Sequence, residues 1–191
     1  ITSLTFLFVF STYIYGTFAI NKNKALVDYL NKDKKIYIKV ISPDFELKYD
    51  LSIDEIENKL KKLVKYSDPD PKRTTFFIWP EGVFTGFNYN EISKFNNLIE
   101  DNFKENHLIF FGINTLDEIS GKYFNTMVVV DNKFKILHKY HKEKLVPFGE
   151  FLPFEKYLNR IGLKKVTQGH LSFSNGKNQS NIIINNVNIL P

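Results

Sequence analysis

Twenty residues without a charge open the chain, "ITSLTFLFVFSTYIYGTFAI", and from Asn21 the composition turns polar and stays so. As a helix rising about 1.5 Å per residue, that run is about 30 Å long, the thickness of a bilayer core. Tyr13 and Tyr15 lie toward one end, where interfacial aromatics belong. A signal peptide would need a basic start and a small-residue cleavage site, and neither flanks the run. The pattern predicts a transmembrane helix over 1–20, a connector over 21–34 and one domain over 35–191, in a chain that starts mid-protein.

Beyond the connector the periodicity alternates between two and 3.6. "KKIYIKVI" (34–41) reads as a strand with partial alternation. In "SIDEIENKLKKLVKY" (52–66), Ser52 followed three residues later by Glu55 is a capping box, and apolar residues then recur at helical spacing. The prolines of "DPDPKR" (68–73) demand a loop. "TTFFIW" (74–79) is a short buried strand ended by Pro80, "NEISKFNNLIEDNFKEN" (90–106) a second amphipathic helix, and "HLIFFGIN" (107–114) a strand. "KYFNTMVVVD" and "KFKILHKYHK", separated by Asn132, form a hairpin, and "NQSNIIINNVNILP" closes the chain as a pair of strands. Residues 151–170 show no clear period and read as an exposed loop with a short helix. Strand, helix, strand, helix, strand and then antiparallel hairpins make an α/β chain with a mixed sheet. It ends on a strand with no closing element, as a chain cut at that end would.

Composition removes several function classes. Hydrophobic residues make up 43% of the 191, enough for a substantial core, while the 19 Phe and 10 Tyr beside abundant Asn and Lys carry the mark of codon bias. The net charge of +5 comes almost wholly from lysine, with Arg73 and Arg160 the two arginines. Nucleic-acid readers lean on arginine for bidentate contacts, so no nucleic-acid partner is expected. Lysines interleaved with Asp and Glu fit a solvated surface or attraction to an anionic membrane. With no cysteine, disulfides and thiolate metal sites are excluded. The four histidines match no zinc spacing, and His138 and His141 on one strand face opposite ways.

Three features could do chemistry. Glu81 in "IWPEG" (78–82) follows a strand directly, at the end of an α/β sheet where ligands gather, although it also fits a loop acid facing water. Lys139, Lys142 and Lys144 fit either an exposed strand face or a cation for a developing oxyanion. Alternation places Lys142 and Lys144 on one side with His138 and Tyr140, and Lys139 and His141 on the other. Glu150 follows the Pro-Phe-Gly turn of "LVPFGE" (145–150), a second carboxylate with a fixed direction. A desolvated glutamate can act as general base. A nucleophile is missing, since no serine or threonine stands in a recognisable elbow.

"WPE", then "YFNT", then "YHKEKLVPFGEFLP" resembles the nitrilase-like domain of the bacterial apolipoprotein N-acyltransferase family, over roughly residues 36 to 191. The resemblance implies an αββα sandwich of the carbon-nitrogen hydrolase type, incomplete here, preceded by a transmembrane helix. It implies a Glu-Lys-Cys triad in which Glu81 is the general base and Lys142, eight residues before Glu150, the catalytic lysine. Glu150 is then the additional active-site glutamate. The family's cysteine would lie just after Leu190-Pro191, so this chain would be inactive alone. Tyr49, Phe84 and Phe148 become candidate substrate contacts. The implied reaction takes an acyl chain from a phospholipid to the α-amine of a diacylglyceryl-cysteine apolipoprotein through a thioester, with no cofactor or metal. The implied place is the bacterial inner membrane, with the domain on the periplasmic side.

The chain departs from the family at Ser42-Pro43-Asp44, where Gln-x-Asn is usual, at Lys48-Tyr49, where Lys-Trp is usual, and at Gly82-Val83-Phe84 after the base. Two other readings stay open: a membrane-tethered amidase of the same superfamily, and a degenerate lipid-binding domain without catalysis. The apolar residues of 82–89 and 151–170 are expected in exposed loops forming a membrane-facing lid.

Overall fold

A computed structural model of the chain describes residues 2–30, 36–46, 48, 50–154, 157, 160, 162, 172–177, 181–184 and 187–189. It divides into two compact units, Ile1–Ile36 and Tyr37–Pro191.

The first unit is the helix α1 (Thr2–Leu30), 29 residues long. It carries the expected helical stretch and continues into the polar residues that follow. Phe6, Phe8, Phe10, Ile14 and Phe18 are all exposed on it. Its hydroxyls bond inward: Ser11 donates to the Phe8 carbonyl, Thr12 to Val9 and Thr17 to Tyr13. Among the described residues, no helix is long and apolar enough to cross a membrane.

The second unit contains β1 (Tyr37–Val40), α2 (Ile53–Ser67), β2 (Thr75–Ile78), α3 (Tyr89–Ile92) and α4 (Asn96–Asn102). These are followed by β3 (His107–Asp117), β4 (Lys122–Val130), β5 (Ile136–His141), β6 (Ile182–Ile184) and β7 (Val187–Ile189). One sheet has the order β1-β2-β3-β4-β5, and β6 pairs with β7 separately. β1, β2 and β3 run parallel, joined by helical crossovers, whereas β4 and β5 add antiparallel, so the α/β class and mixed sheet are observed.

Local chemistry sets these elements. Ser52 Oγ accepts the Glu55 N–H while the Glu55 carboxylate accepts the Ser52 N–H at 2.8 Å, so the capping box starts α2 where its spacing indicated. Ile56, Leu60 and Leu63 then fall on one face and are fully buried. Residues 90–106 depart from the expected single helix. Asn88 and Glu91 form a second capping box for α3, a 3₁₀ turn (Ser93–Phe95) intervenes, and α4 ends at Asn102. The next residue, Phe103, is extended and wholly buried, edge-on to Phe77 and Trp79, so packing of that ring ends the helix.

The two faces of the large sheet differ. Phe77, Ile109, Phe111, Ile113, Val128 and Val130 belong to one core cluster with the buried residues of α2 and with Ile92 and Ile99. By alternation the opposite face carries Phe76, Leu108, Phe110 and Val129, all buried. Further along the same rows stand Gly112 and Asn114 on β3 and Asn125 on β4, each half-buried. That face therefore changes from apolar to polar toward the carboxyl end of β3.

Because the Ser52 hydroxyl satisfies an otherwise unpaired helix N–H, Ser52→Ala is expected to cost about 1 kcal/mol of stability. Chemical denaturation measures it, and an unchanged midpoint would remove the cap from the account of α2.

Candidate active site

Glu81 stands on the first turn after β2, and the turn is held from both sides. The Trp79 N–H donates to the Phe110 carbonyl at 2.8 Å, extending the parallel ladder by one residue. The Trp79 indole N–H donates to the buried Ser67 hydroxyl at 3.0 Å, tying the strand exit to the end of α2. The chain then reverses through Gly82 at φ 75°, a conformation costly for side-chain residues, and Thr85 Oγ1 donates to the Gly82 carbonyl at 2.7 Å. Glu81 itself is exposed. Its Cγ lies 3.8 Å from where a Cβ on Gly112 would be, so it covers the polar part of the β3 face. Glycine at 112 leaves that space to the glutamate.

Lys142 and Glu150 meet directly. Lys142 Nζ donates to Glu150 Oε1 at 2.9 Å, the lysine side chain being 38% and the glutamate 15% exposed. The same Oε1 accepts the Asn125 side-chain N–H at 2.8 Å, and Oε2 accepts the Val146 backbone N–H at 2.8 Å. Burial pushes the Glu150 carboxyl upward, but Lys142, the Val146 amide and Asn125 together outweigh it and hold the carboxyl below its ordinary range. The carboxylate is thus a fixed anion.

Backbone bonds fix both partners. The Lys142 N–H donates to the Asn125 carbonyl at 2.8 Å, one step past the last residue of β5. The turn before Glu150 is closed by Glu150 N–H to Val146 carbonyl and Phe148 N–H to Phe151 carbonyl, each 2.8 Å, with Phe148 at φ 62°. Residues 173–176 then strap the site. Phe173 N–H donates to the Glu150 carbonyl at 2.9 Å, and Gly176 N–H to the Lys142 carbonyl at 3.0 Å.

Asn125 holds Lys142 through its carbonyl and Glu150 through its amide. In the sequence it is visible only as one letter of "YFNT". The available signal was an amide in mid-strand, where Asn is depleted, on the face shared with Asn114, its cross-strand partner.

The other candidates scatter. Phe84 is a correction: it is 4% exposed, packed edge-on against Phe111 in the core, so it is no exposed lid residue. A flanking-glycine loop looks open in sequence, but Val83 and Phe84 bury themselves against β3. Phe148 is exposed beside the Glu150 turn. Tyr49 and most of 155–171 lie outside the described residues. Lys144 is exposed on the bend after β5, while Lys139 pairs with Val128 on the core-side face. His138 and His141 pair with Val129 and Thr126, on opposite faces. His107 is a core residue, its Nδ1 accepting the Lys104 N–H at 3.0 Å and its Nε2 lying 2.9 Å from the Asp70 carbonyl.

Removing one donor from Glu150 should move its titration. In Asn125→Ala, the Glu150 carboxyl is expected to titrate at higher pH than in the parent, read from its side-chain carboxyl carbon by NMR. Because the folded-state pKa is depressed, Glu150 contributes stability above the ordinary glutamate value of 4.5 that is lost as pH falls through the lowered value. The acid-side fall in stability should therefore be shallower in the variant. An unchanged titration would mean that the Asn125 amide does not hold the carboxylate.

No family model matches the chain. It is 27% identical over 154 residues to an apolipoprotein N-acyltransferase of Rhizobium leguminosarum bv. trifolii, covering 76% of this chain and 29% of that protein. The same-named protein of Brucella suis biovar 1 is 27% identical over 172 residues, 85% of this chain and 31% of the relative. That of Vibrio cholerae serotype O1 is 33% identical over 109 residues, 52% and 21%. Among solved structures, a glutamine-dependent NAD+ synthetase of Acinetobacter baumannii matches at TM-score 0.44 and 17% identity, covering 73% of this chain and 25% of that one. A carbon-nitrogen hydrolase of Helicobacter pylori matches at TM-score 0.41 and 18% identity, 58% and 40%. At such scores these two likenesses place no residue. The sequence likeness is to curated apolipoprotein N-acyltransferases, and the chain spans under a third of the length of those it matches.

Proposed function

We propose that the chain is the nitrilase-like catalytic part of a membrane N-acyltransferase that acylates the N-terminus of an apolipoprotein. The observation that carries the reading is the Lys142–Glu150 contact at 2.9 Å, on a sheet face that Glu81 also covers, in a chain whose relatives bear that activity as their name. The acyl donor is a phospholipid and the acceptor the α-amine of a diacylglyceryl-cysteine. The domain is the αββα sandwich of carbon-nitrogen hydrolases, with the two-stranded β6–β7 sheet as the beginning of its second layer.

Each residue has a physical task. Glu81, exposed at a strand end and in no ion pair among the described residues, takes the proton of an attacking thiol and returns it to the departing lysophospholipid. The thiol attacks the ester carbonyl, forming a thioester as the lysophospholipid oxygen leaves, and the acceptor amine then displaces the thiol. That thiol is not among residues 1–191, which include no cysteine. Lys142 supplies the cation for the tetrahedral oxyanion in both halves. Glu150, locked as an anion by three donors, keeps the Lys142 ammonium aimed, and is not itself a proton carrier.

Membrane attachment belongs to the same reading. The charge-free part of α1 exposes large apolar side chains and sends three hydroxyl protons back to its own carbonyls, so it makes little demand on water. We infer attachment of the protein at the bacterial inner membrane, with the catalysis on the periplasmic side.

In the full-length protein, Glu81→Gln is expected to lower acyl-enzyme formation by at least about 100-fold while leaving the fold intact, since an amide keeps the shape and loses the basicity. Trapping the thioester with labelled phospholipid measures it, and normal accumulation would remove Glu81 from the base role.

Lys142→Met should cost on the order of 100-fold or more in acyl transfer, against a few-fold at most for Lys144→Met. Equal losses would mean that the lysines act only as a basic patch.

A further inference from the structure

A cavity of about 730 Å³ opens at the far end of β3, β4 and β5, and none of Glu81, Lys142 or Glu150 lines it. Its floor is the core-side face, where Thr115, Phe124 and His141 stand, and one wall is residues 174–177. We propose that this cavity, edged by Lys122, Lys139 and Lys177 around His141, binds a small phosphate-bearing anion.

The charges are arranged for it. No ion pair among the described residues involves any of the three lysines. Two carboxylates also line the cavity. Asp117 is committed to its turn, where it accepts the Ile119 N–H at 3.0 Å and the Ser120 N–H at 3.3 Å, and it offsets the neighbouring Lys122. Glu118 lines the cavity as well, and the Asp117 charge acts on His141 against that of Lys139. Lysine ammoniums bind phosphate as point charges, and the Ser174 hydroxyl and Asn90 amide, which also line the cavity, can donate to further oxygens.

His141 is fixed at the floor. Its Nδ1 lies 2.8 Å from Thr126 Oγ1, which lies 2.6 Å from Thr115 Oγ1, and both threonines are buried. The ring rests on Phe124 with centroids 4.3 Å apart. Burial, and then Lys139, hold its pKa below the ordinary histidine range. An anion seated between Lys139 and the ring would favour the charged imidazolium and raise that pKa.

The shared wall gives the cavity a consequence. Residues 174–177 line it, and the same strap donates from Gly176 N–H to the Lys142 carbonyl and from Asn175 Nδ2 to the Glu143 carbonyl at 2.7 Å. A ligand pressing on this strap acts on the backbone that carries Lys142. The anion site itself stands apart from the catalytic reading.

The test is NMR of the full chain labelled at histidine ring carbons, titrated with inorganic phosphate in one arm and with phosphatidylglycerol vesicles in another. The expected result is a saturable shift of the His141 ring signal and a raised His141 pKa. In Lys139→Gln/Lys177→Gln, affinity should fall at least about tenfold while the spectrum of the folded chain is retained. Saturation by free phosphate names a soluble phosphate as the source, and saturation by vesicles alone names a lipid headgroup. A shift that rises linearly without saturating, or one that saturates equally in the double variant, would overturn the site.

Discussion

Everything proposed for the site depends on the Glu150 carboxylate being a held anion. A lysine at the surface of a sheet has a long flexible stem and is ordinarily hydrated, with nothing to aim it. Here Lys142 is aimed because Glu150 sits 2.9 Å from its ammonium and is itself fixed by the Asn125 amide and the Val146 N–H. The three donors converge from β4, from the end of β5 and from the turn after it. Relaxing any one leaves a half-buried carboxylate short of partners, and the lysine loses its reference point with it.

The sheet supplies the second constraint. Over the middle of the sheet its core-side face is filled by Phe77, Phe111, Val128 and their partners, and packing there leaves no room for a polar cluster. The opposite face is apolar at Leu108 and Phe110 and then gives way to Gly112 and Asn114. Glu81 takes the space over Gly112 because a side chain beyond a methyl group would compete for it. The catalytic candidates therefore gather on the opposite face, near the carboxyl ends of the parallel strands, where α/β sheets collect ligands.

Much of the scaffold was legible because its signals are local. The Ser52–Glu55 box, the helical spacing of Ile56, Leu60 and Leu63, and the break at Asn132 each act within a few residues, and the structure agrees with them. Where tertiary packing decides, the sequence misleads. Phe103 ends a helix that its periodicity would continue, and Phe84 dives into the core from a loop that looks open. The catalytic candidates show the same divide. The eight-residue step from Lys142 to Glu150 is a property of one turn and can be read directly. The role of Asn125 comes from cross-strand register, and Glu81 reaches the same face only through the parallel pairing of β2 with β3. Neither relation is written in neighbouring letters.

The most direct measurement of the central claim is a double-mutant cycle on folding stability at neutral pH, with Lys142→Met, Glu150→Gln and the pair. The lysine is partly exposed, which discounts the interaction, yet a carboxylate held by two further donors should still couple to it by on the order of 1 kcal/mol. A coupling energy of that size is the result expected. Additive losses, with no coupling, would mean that Glu150 does not hold Lys142 and would contradict the account.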